Sequence, residues 1–423
     1  MLDRNIAPDF KQIEEVTFIH AKKHVLANKI PVFVGNAGEQ DLVRIEFIFQ
    51  NTSWQLDKPL MPSVTNSMLT EGTHSLSSAQ IASKIDYYGA FFQPEYSYDH
   101  SSLTLYSLNK YVGDTLPLIK EMLTGSIFPQ KELETYLRNQ KQKLKIALEK
   151  NSVVAKRLFT ETLFGDSLYG YPNQLEDYDN VKRENLLAYY QKVYHPANCT
   201  IVISGKIDDS VLKLVADLFG NWSSTEEVTE FKVSFKSSDQ KLHYIEKQDA
   251  LQSAIRIGIP LVNRTHPDFI GLQILNTALG GYFGSRLMNN IREDKGYTYG
   301  IGSGIASLQH AGYFFISTEV GVDVTPQTLT EIEKEVNLLK TELIGEDELG
   351  LIRNYLMGSL LGSLENAFSH ADKFKNLYFF GLDYSYYDRY IETIKSISPE
   401  ELMRLANQYW DYDSFYKIIV GKM

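Results

Sequence analysis

The chain has one cysteine, Cys199, among its 423 residues, so no disulfide can staple the fold from within. Cys199 opens the strand-like run CTIVISG, where a buried, inert thiol is expected rather than a nucleophile. Histidines are few as well, nine in all, and neither H-x-x-E-H nor H-E-x-x-H occurs among them; two common helical signatures of a zinc peptidase are therefore missing. No apolar run is long enough to cross a bilayer. The opening MLDRNIAPDFKQIEE lacks a basic segment followed by an apolar one, so no secretory leader is read there and the cytoplasm is the expected location. Positive charge is in deficit. A net charge of -11 argues against nonspecific affinity for nucleic acid or an anionic membrane.

What is present describes a globular chain, 43% hydrophobic and 22% charged, with 27 Tyr and 22 Phe to furnish cores and peptide-contacting surfaces. The length exceeds what one core usually serves, so two or more domains are expected. Strand patterns begin at Thr17 with TFIHAKKHVL, KIPVFVGNAG and DLVRIEFIFQN. A helix is expected over 58–70, with Leu60, Val64 and Met68 on one face, and another over 77–88, capped by Ser77 or Ser78 and closed by Gly89. FFQPEYSY and SSLTLYSL return the chain to the sheet, with Pro94 suited to an edge strand. Phe91, Phe92, Tyr96 and Tyr98 there read either as a binding surface or as plain core. Helical pattern runs over 111–164, 183–193 and 209–219, with a strand at 199–204 between the last two. The polar stretch 223–240, SSTEEVTEFKVSFKSSDQ, reads as a linker between domains 1–222 and 241–423.

Beyond the linker the order of elements repeats: strands at 243–247 and 253–258, a helix over 267–279 with Thr265 as its N-cap, a short helix and strand, GYFFISTEV, two long helices through Ser363 and a closing strand. TIVISGK at 200–206 answers YKIIVGK at 416–422, and NSML at 66–69 answers NTAL at 276–279. An internal duplication of about 210 residues accounts for these pairs. The expected fold class is α+β, with two homologous domains, each a mostly antiparallel sheet with helices packed on one face.

The stretch 279–304, LGGYFGSRLMNNIREDKGYTYGIGSG, carries the most chemistry. Leu287, Met288 and Ile291 give its short helix a buried face, and Gly296 supplies a left-handed exit. Arg292 then falls near the helix end and Tyr299 two or three residues into the next strand. A guanidinium fork and a phenol on rigid elements suit recognition of carbonyl oxygens, because both donate hydrogen bonds without changing protonation. On these residues alone, Arg292 is equally a surface charge and Tyr299 a core residue.

This duplicated layout, with YHPANCTIVISGKIDDSVLKLVADLFGNW in the first half and GSRLMNNIREDKGYTYGIGSG in the second, resembles the pitrilysin/insulinase superfamily of zinc peptidases (inverzincins). The group of roughly 400-residue subunits that includes the mitochondrial processing peptidases is the nearest in pattern. The resemblance implies two such chains closing like a clamshell over an extended peptide, and a zinc motif on a first-domain helix with a further glutamate downstream. Here that helix reads PSVTNSMLTEGT, which puts Ser63 and Ser67 at the histidine positions and Asn66 at the glutamate. A serine hydroxyl is a poor zinc ligand and an amide cannot act as general base. The downstream window YLRNQKQKLKIAL holds no carboxylate, although Glu134 and Glu149 bracket it, and Glu71 and His74 read as turn or cap residues. No metal site or cofactor is thus expected in this chain, and zinc is expected in a partner.

Arg292 and Tyr299 match an R-x6-Y pattern that, in paired peptidases of this family, completes the site from the opposite subunit. The resemblance therefore implies a noncatalytic, substrate-binding subunit of a heterodimeric zinc endopeptidase, inactive alone and partnered by an H-x-x-E-H-bearing homologue. The alternative is a structural or peptide-binding homologue with no proteolytic role, possibly a homodimer. A hydrolase using Ser63, Ser67 or Cys199 lacks an identifiable base.

Overall fold

The computed structural model describes residue 13, residues 15–228 and residues 231–423; the strand pattern expected from Thr17 lies within it. The first half runs β1 (Lys22–Val25), β2 (Pro31–Asn36), β3 (Leu42–Gln50), α1 (Met61–Met68), α2 (Ser78–Tyr87), β4 (Phe91–Tyr96), β5 (His100–Leu108), α3 (Val112–Gly125), α4 (Gln130–Ala147), α5 (Asn151–Phe164), α6 (Arg183–Val193), β6 (Cys199–Gly205) and α7 (Asp209–Phe219). The second half runs β7 (Leu242–Glu246), β8 (Gln252–Leu261), α8 (Phe269–Asn276), β9 (Thr298–Ser307), β10 (Gly312–Gly321), α9 (Thr325–Thr341), α10 (Glu346–Gly362), α11 (Ala367–Tyr378), α12 (Ser385–Ser396), α13 (Pro399–Tyr409) and β11 (Tyr416–Gly421).

The strands form two mixed sheets, ordered β1-β2-β6-β3-β5-β4 and β7-β11-β8-β10-β9. In the first, only β2 and β6 are parallel neighbours; in the second, only β7 and β11 are. With β1 set aside, the two orders and senses match strand for strand. β6 and β11, the strands of the two matching sequence runs, each end in a glycine at positive φ, Gly205 at 123° and Gly421 at 144°. A Cβ on Gly205 would stand 2.2 Å from the Leu42 carbonyl oxygen, so no other residue fits that crossing.

Expectation and structure differ over what covers the sheets. One face of the first sheet packs on its own helices through Val43, Ile45, Phe47 and Phe49. The opposite face is not open: Phe33, Ile48 and Val202 pack on Ala371 and Phe374 of α11, a helix from the second half. The second sheet is treated reciprocally. Ile255 and Ile257 face its own helices, while Ala254, Ile418 and Val420 meet Phe159 and Leu163 of α5, from the first half. Helices on one face only is therefore incorrect. Strands apolar in both alternating registers need cover on both sides, and each half supplies a helix to the other.

Charged groups fix the α11 contact. Arg44 and Glu46 alternate with the apolar residues of β3 and are buried. Arg44 pairs with Glu46 at 3.0 Å and with Asp372 of α11 at 2.9 Å, and Lys375 of α11 bonds Glu46. Burial disfavours the Arg44 cation, but Glu46 and Asp372 together raise its pKa. The chain before β1 also crosses over: Ile19 N–H donates to His370 Nδ1 at 3.2 Å, and Tyr384 O–H donates to the Ile19 carbonyl at 3.3 Å. The strand expected from Thr17 is therefore shortened to β1, and the backbone of the residues before it bonds to side chains of the second half.

Local details follow capping chemistry in places and depart from it elsewhere. Ser77 caps α2 with a full capping box to Gln80. Thr265 does not cap α8; its hydroxyl instead bonds Asn263 Oδ1 at 2.7 Å, and the helix begins at Phe269. The expected order of elements does not include α11, α12 and α13, whose buried faces are only three to five residues each. The described residues of 223–240 contain no helix or strand, yet they are pinned along α5: Ser238 N–H donates to the Thr162 carbonyl, and Phe235 packs edge-on to Phe164.

The seam between the halves is sensitive to acid. His100 sits 4.0 Å from the Phe379 ring just beyond α11. Its pKa falls to about 4, mainly through burial, with Lys375 and His310 adding to the effect and Asp99 opposing it. Burial lowers His370 too. The unfolded chain protonates His100 near pH 6.5, while the folded chain resists down to about pH 4. Its contribution is complete above pH 6.5 and lost as pH falls through that window, worth on the order of 3 kcal/mol. The thermal midpoint is expected to fall between pH 6.5 and 4, and His100→Leu to fall less steeply; equal slopes by calorimetry would remove His100 from this account.

Candidate functional site

After α8 the helix does not stop but widens into a π-helical turn over Thr277–Gly281. It lies directly on β9: a Cβ on Gly280 would stand 2.6 Å from Ser303 Oγ and 2.7 Å from the Ser303 nitrogen. Following the Gly-containing turn, a second π-helical segment spans Met288–Asp294. Leu287, Met288 and Ile291 are its buried face, and Gly296, at φ 66°, turns the chain into β9. Such π segments are rare and recur at functional sites.

Polar anchors hold this segment against two helices. Arg286 makes a bidentate pair with Glu348 of α10, both bonds 2.8 Å. Asn290 donates to Glu331 at 3.0 Å and to Glu335 at 2.6 Å, both on α9. Lys295 pairs with Glu331 at 3.3 Å. The Asn290 hydrogen bond, then Lys295, hold the Glu331 carboxyl below its usual range. The segment thus behaves as a fixed platform.

On that platform Arg292 lies between two rings, its Cζ 4.9 Å from the centre of Phe283 and 5.2 Å from that of Tyr299. Its Nε pairs with Glu293 at 3.2 Å. Tyr299 is the second residue of β9, the edge strand of its sheet, and it is 90% exposed; Phe283 is 62% exposed. Tyr299 is therefore not a core residue. Among the described residues, neither its hydroxyl nor the Nη atoms of Arg292 take a hydrogen bond. Stacking fixes the guanidinium plane, at about 0.5–1 kcal/mol per exposed cation–π contact, and leaves its outer donors free. Phe283 was not singled out from the sequence, although an aromatic inside the Gly-rich run GGYFGS was the available signal.

The first-half helix α1 has a different use for its motif positions. Asn66 is buried and uses three of the four hydrogen-bonding positions of its amide: Nδ2 donates to the carbonyls of Glu95 (2.8 Å) and Ser102 (3.2 Å), and Oδ1 accepts from the Tyr194 hydroxyl at 2.9 Å. Ser63 bonds back to the Leu60 carbonyl at 3.1 Å, and Ser67 meets the Tyr136 hydroxyl. Glu71 accepts from Ser78 at 2.8 Å, and Glu134 from Gln130 at 2.9 Å. Two serines and an amide do not fit a zinc ion, and among the described residues no group of three or more His, Cys, Asp or Glu side chains is placed to hold one. Cys199 is buried, and burial pushes its thiol well up. β4 is indeed an edge strand with Pro94 inside it. Phe91 is 57% exposed, whereas Phe92 packs into the core, so the aromatic cluster is divided between the two readings.

Residues 180–356 match the family model described as the peptidase M16 inactive domain. The chain is similar to an uncharacterized zinc protease, YmxG of Bacillus subtilis, 26% identical over 82% of this chain and 84% of that protein. It is also similar to a Helicobacter pylori protein named non-peptidase homolog YmxG, 24% identical over 79% of this chain and 78% of the other. The crystal structure of a peptidase M16 inactive domain from Pseudomonas fluorescens superimposes with a TM-score of 0.86 at 21% identity, covering 95% of this chain and 98% of that one. No helix among the described residues is long and apolar enough to cross a membrane.

The geometry at α1 yields a stability prediction. Asn66→Ala strands a buried Tyr194 hydroxyl and two carbonyls and is expected to cost about 2–3 kcal/mol in denaturant unfolding. Asn66→Glu aims a carboxylate at those carbonyls and is expected to cost more than the alanine.

Proposed function

We propose that this chain, whose residues 180–356 match the peptidase M16 inactive domain, is a member of the pitrilysin superfamily and the noncatalytic, substrate-binding subunit of a heterodimeric zinc endopeptidase. The observation that carries this reading is the Phe283–Arg292–Tyr299 stack, rigidly mounted and with its donors unspent at a sheet edge. A side chain as exposed as Tyr299 contributes little to the fold of this subunit and gains a purpose when a second chain closes over it. The partner would be an H-x-x-E-H-bearing homologue that supplies the zinc. This chain's own contribution would be two donors: Arg292 for peptide carbonyls of an extended substrate, and Tyr299 for the oxyanion that develops at the scissile carbonyl.

The names of the similar proteins, a zinc protease and a non-peptidase homologue, support descent from peptidases with loss of the chain's own catalytic helix. Matching strand orders in the two halves support an internal duplication, with domains 1–222 and 241–423 joined through 223–240. Location in the cytoplasm, without nucleic acid or membrane as partner, belongs to the same proposal.

The test is reconstitution. The purified chain is expected to cleave no peptide alone and to gain activity with its H-x-x-E-H partner. In the reconstituted pair, Tyr299→Phe should lower kcat about 10²-fold, or roughly 3 kcal/mol, with KM little changed. Arg292→Lys should raise KM by removing the planar fork. Full activity of the Tyr299→Phe pair would sink the assigned role. Recovery of the chain from its native cells only with itself would favour the homodimeric, nonproteolytic alternative.

A further inference from the structure

A cavity of about 840 Å³ lies where the two halves meet, between α5, the turn joining β4 to β5, and the outer face of the second sheet. Its charged lining is Lys156, Arg157 and Arg256, and no Asp or Glu lines it, although the chain has 53 acidic residues against 42 Lys and Arg. Arg256 is only 9% exposed. Its guanidinium sits between the rings of Phe315 (4.4 Å) and Phe159 (5.2 Å), and its Nε is buried with no partner. Among the described residues, no guanidinium nitrogen of Arg256 makes a hydrogen bond or ion pair. Arg157 makes one hydrogen bond, from Nη2 to the Asn173 carbonyl at 2.5 Å.

The first half shows what a paired version of this position looks like. Glu46 on β3 sits opposite Val202 of β6, and Arg256 on β8 sits opposite Ile418 of β11. Counted from the glycines that end β6 and β11, these are the same register position on the outer faces of the two sheets. Glu46 is neutralised there by Arg44 and by Lys375 from the crossing helix α11. At the matching place, the crossing helix α5 offers Arg256 the Phe159 ring and a second arginine. Burial disfavours the charged form of both Arg157 and Arg256, and aromatic stacking offsets only part of the cost of an unpaired buried cation. The missing partner is an anion.

We propose that this cavity binds a carboxylate carried on an apolar group, with Arg256 and Arg157 holding the carboxylate and the Ser317 and Tyr98 hydroxyls beside them. The remaining wall, including Trp54 and Leu144, is largely apolar and suits the body of the ligand better than a bare phosphate would. Either the C-terminus of a peptide ending in an apolar residue or a small free acid has this chemistry. The inference does not rest on Arg292, Tyr299 or a partner subunit.

The experiment is calorimetric titration of the full chain, alone, with four probes: acetyl-Leu-Phe as its free acid, the same dipeptide as its amide, 4-phenylbutyrate, and inorganic phosphate. The free acid is expected to bind at least tenfold more tightly than the amide, and Arg256→Met and Arg157→Met each to weaken it by tenfold or more. Tighter binding of the dipeptide acid than of phenylbutyrate supports a peptide C-terminus; the reverse supports a small acid. Without ligand, Arg256→Met should melt at the same temperature as the natural chain or higher, because it removes an uncompensated charge; a purely structural guanidinium would give a lower midpoint. Should Arg256→Met fail to fold, Arg157→Met carries the same affinity readout. Equal binding of acid and amide, tightest binding by phosphate, no binding of any probe at about 1 mM, where even weak carboxylate sites are read, or unchanged affinity in the arginine variants would overturn the proposal.

Discussion

Each sheet in this protein is apolar on both faces, and neither half has enough helices of its own to cover it. The exchange of α5 and α11 resolves this: each helix completes the burial of the other half's sheet. Folding of one half alone would leave Phe33, Ile48 and Val202, or Ala254, Ile418 and Val420, facing water. At about 25 cal/mol per Å² of apolar area, such a face is a large fraction of the few kcal/mol that separate folded from unfolded chains. The Arg44, Glu46, Asp372 and Lys375 group adds direction rather than bulk stability, since buried ion pairs rarely repay their desolvation but penalise any mispairing. The two halves are thus one folding problem, and sites at their seam are fixed by both.

That interlock separates two kinds of polar residue. On α1, Asn66 is absorbed into the fold: it ties the helix to the β4–β5 pair and to Tyr194, with both amide N–H groups spent. At the other end, the platform of Arg292 and Tyr299 is tied down by neighbouring residues, Arg286, Asn290 and Lys295, so the exposed Tyr299 side chain is not needed to hold it. A brace spends its donors within the chain, whereas a binding residue keeps some unspent.

The two arginines sandwiched by aromatic rings illustrate the same distinction in different surroundings. Arg292 stacks between Phe283 and Tyr299 at the surface, where water solvates its free donors and the arrangement costs little. Arg256 stacks between Phe159 and Phe315 under cover, where water cannot do so. The same local geometry leaves hydrated donors in one place and an unpaired, buried charge in the other. The register that pairs Arg256 with Glu46 shows that the fold accommodates a charge at this point when a counter-charge is supplied.

Much of the local order was legible in the residues themselves. Alternation in DLVRIEFIFQN and TIVISG, the capping box at Ser77, the left-handed glycines and the paired runs at 200–206 and 416–422 set strands, caps and the parallel between halves, because these depend on contacts within a few residues. The same holds for Arg292 at a helix end and Tyr299 at a strand start, and for the poor metal-ligand chemistry of Ser63, Asn66 and Ser67. Which helix covers which sheet, by contrast, depends on contacts made across more than a hundred residues, and no periodicity records it. The π-helical turns, the Phe283 stack and the unpaired Arg256 were likewise decided only in three dimensions. A side chain's chemistry is local, but whether a charge finds its partner, and whether a donor is spent or free, is settled by elements that meet only when the whole chain has folded.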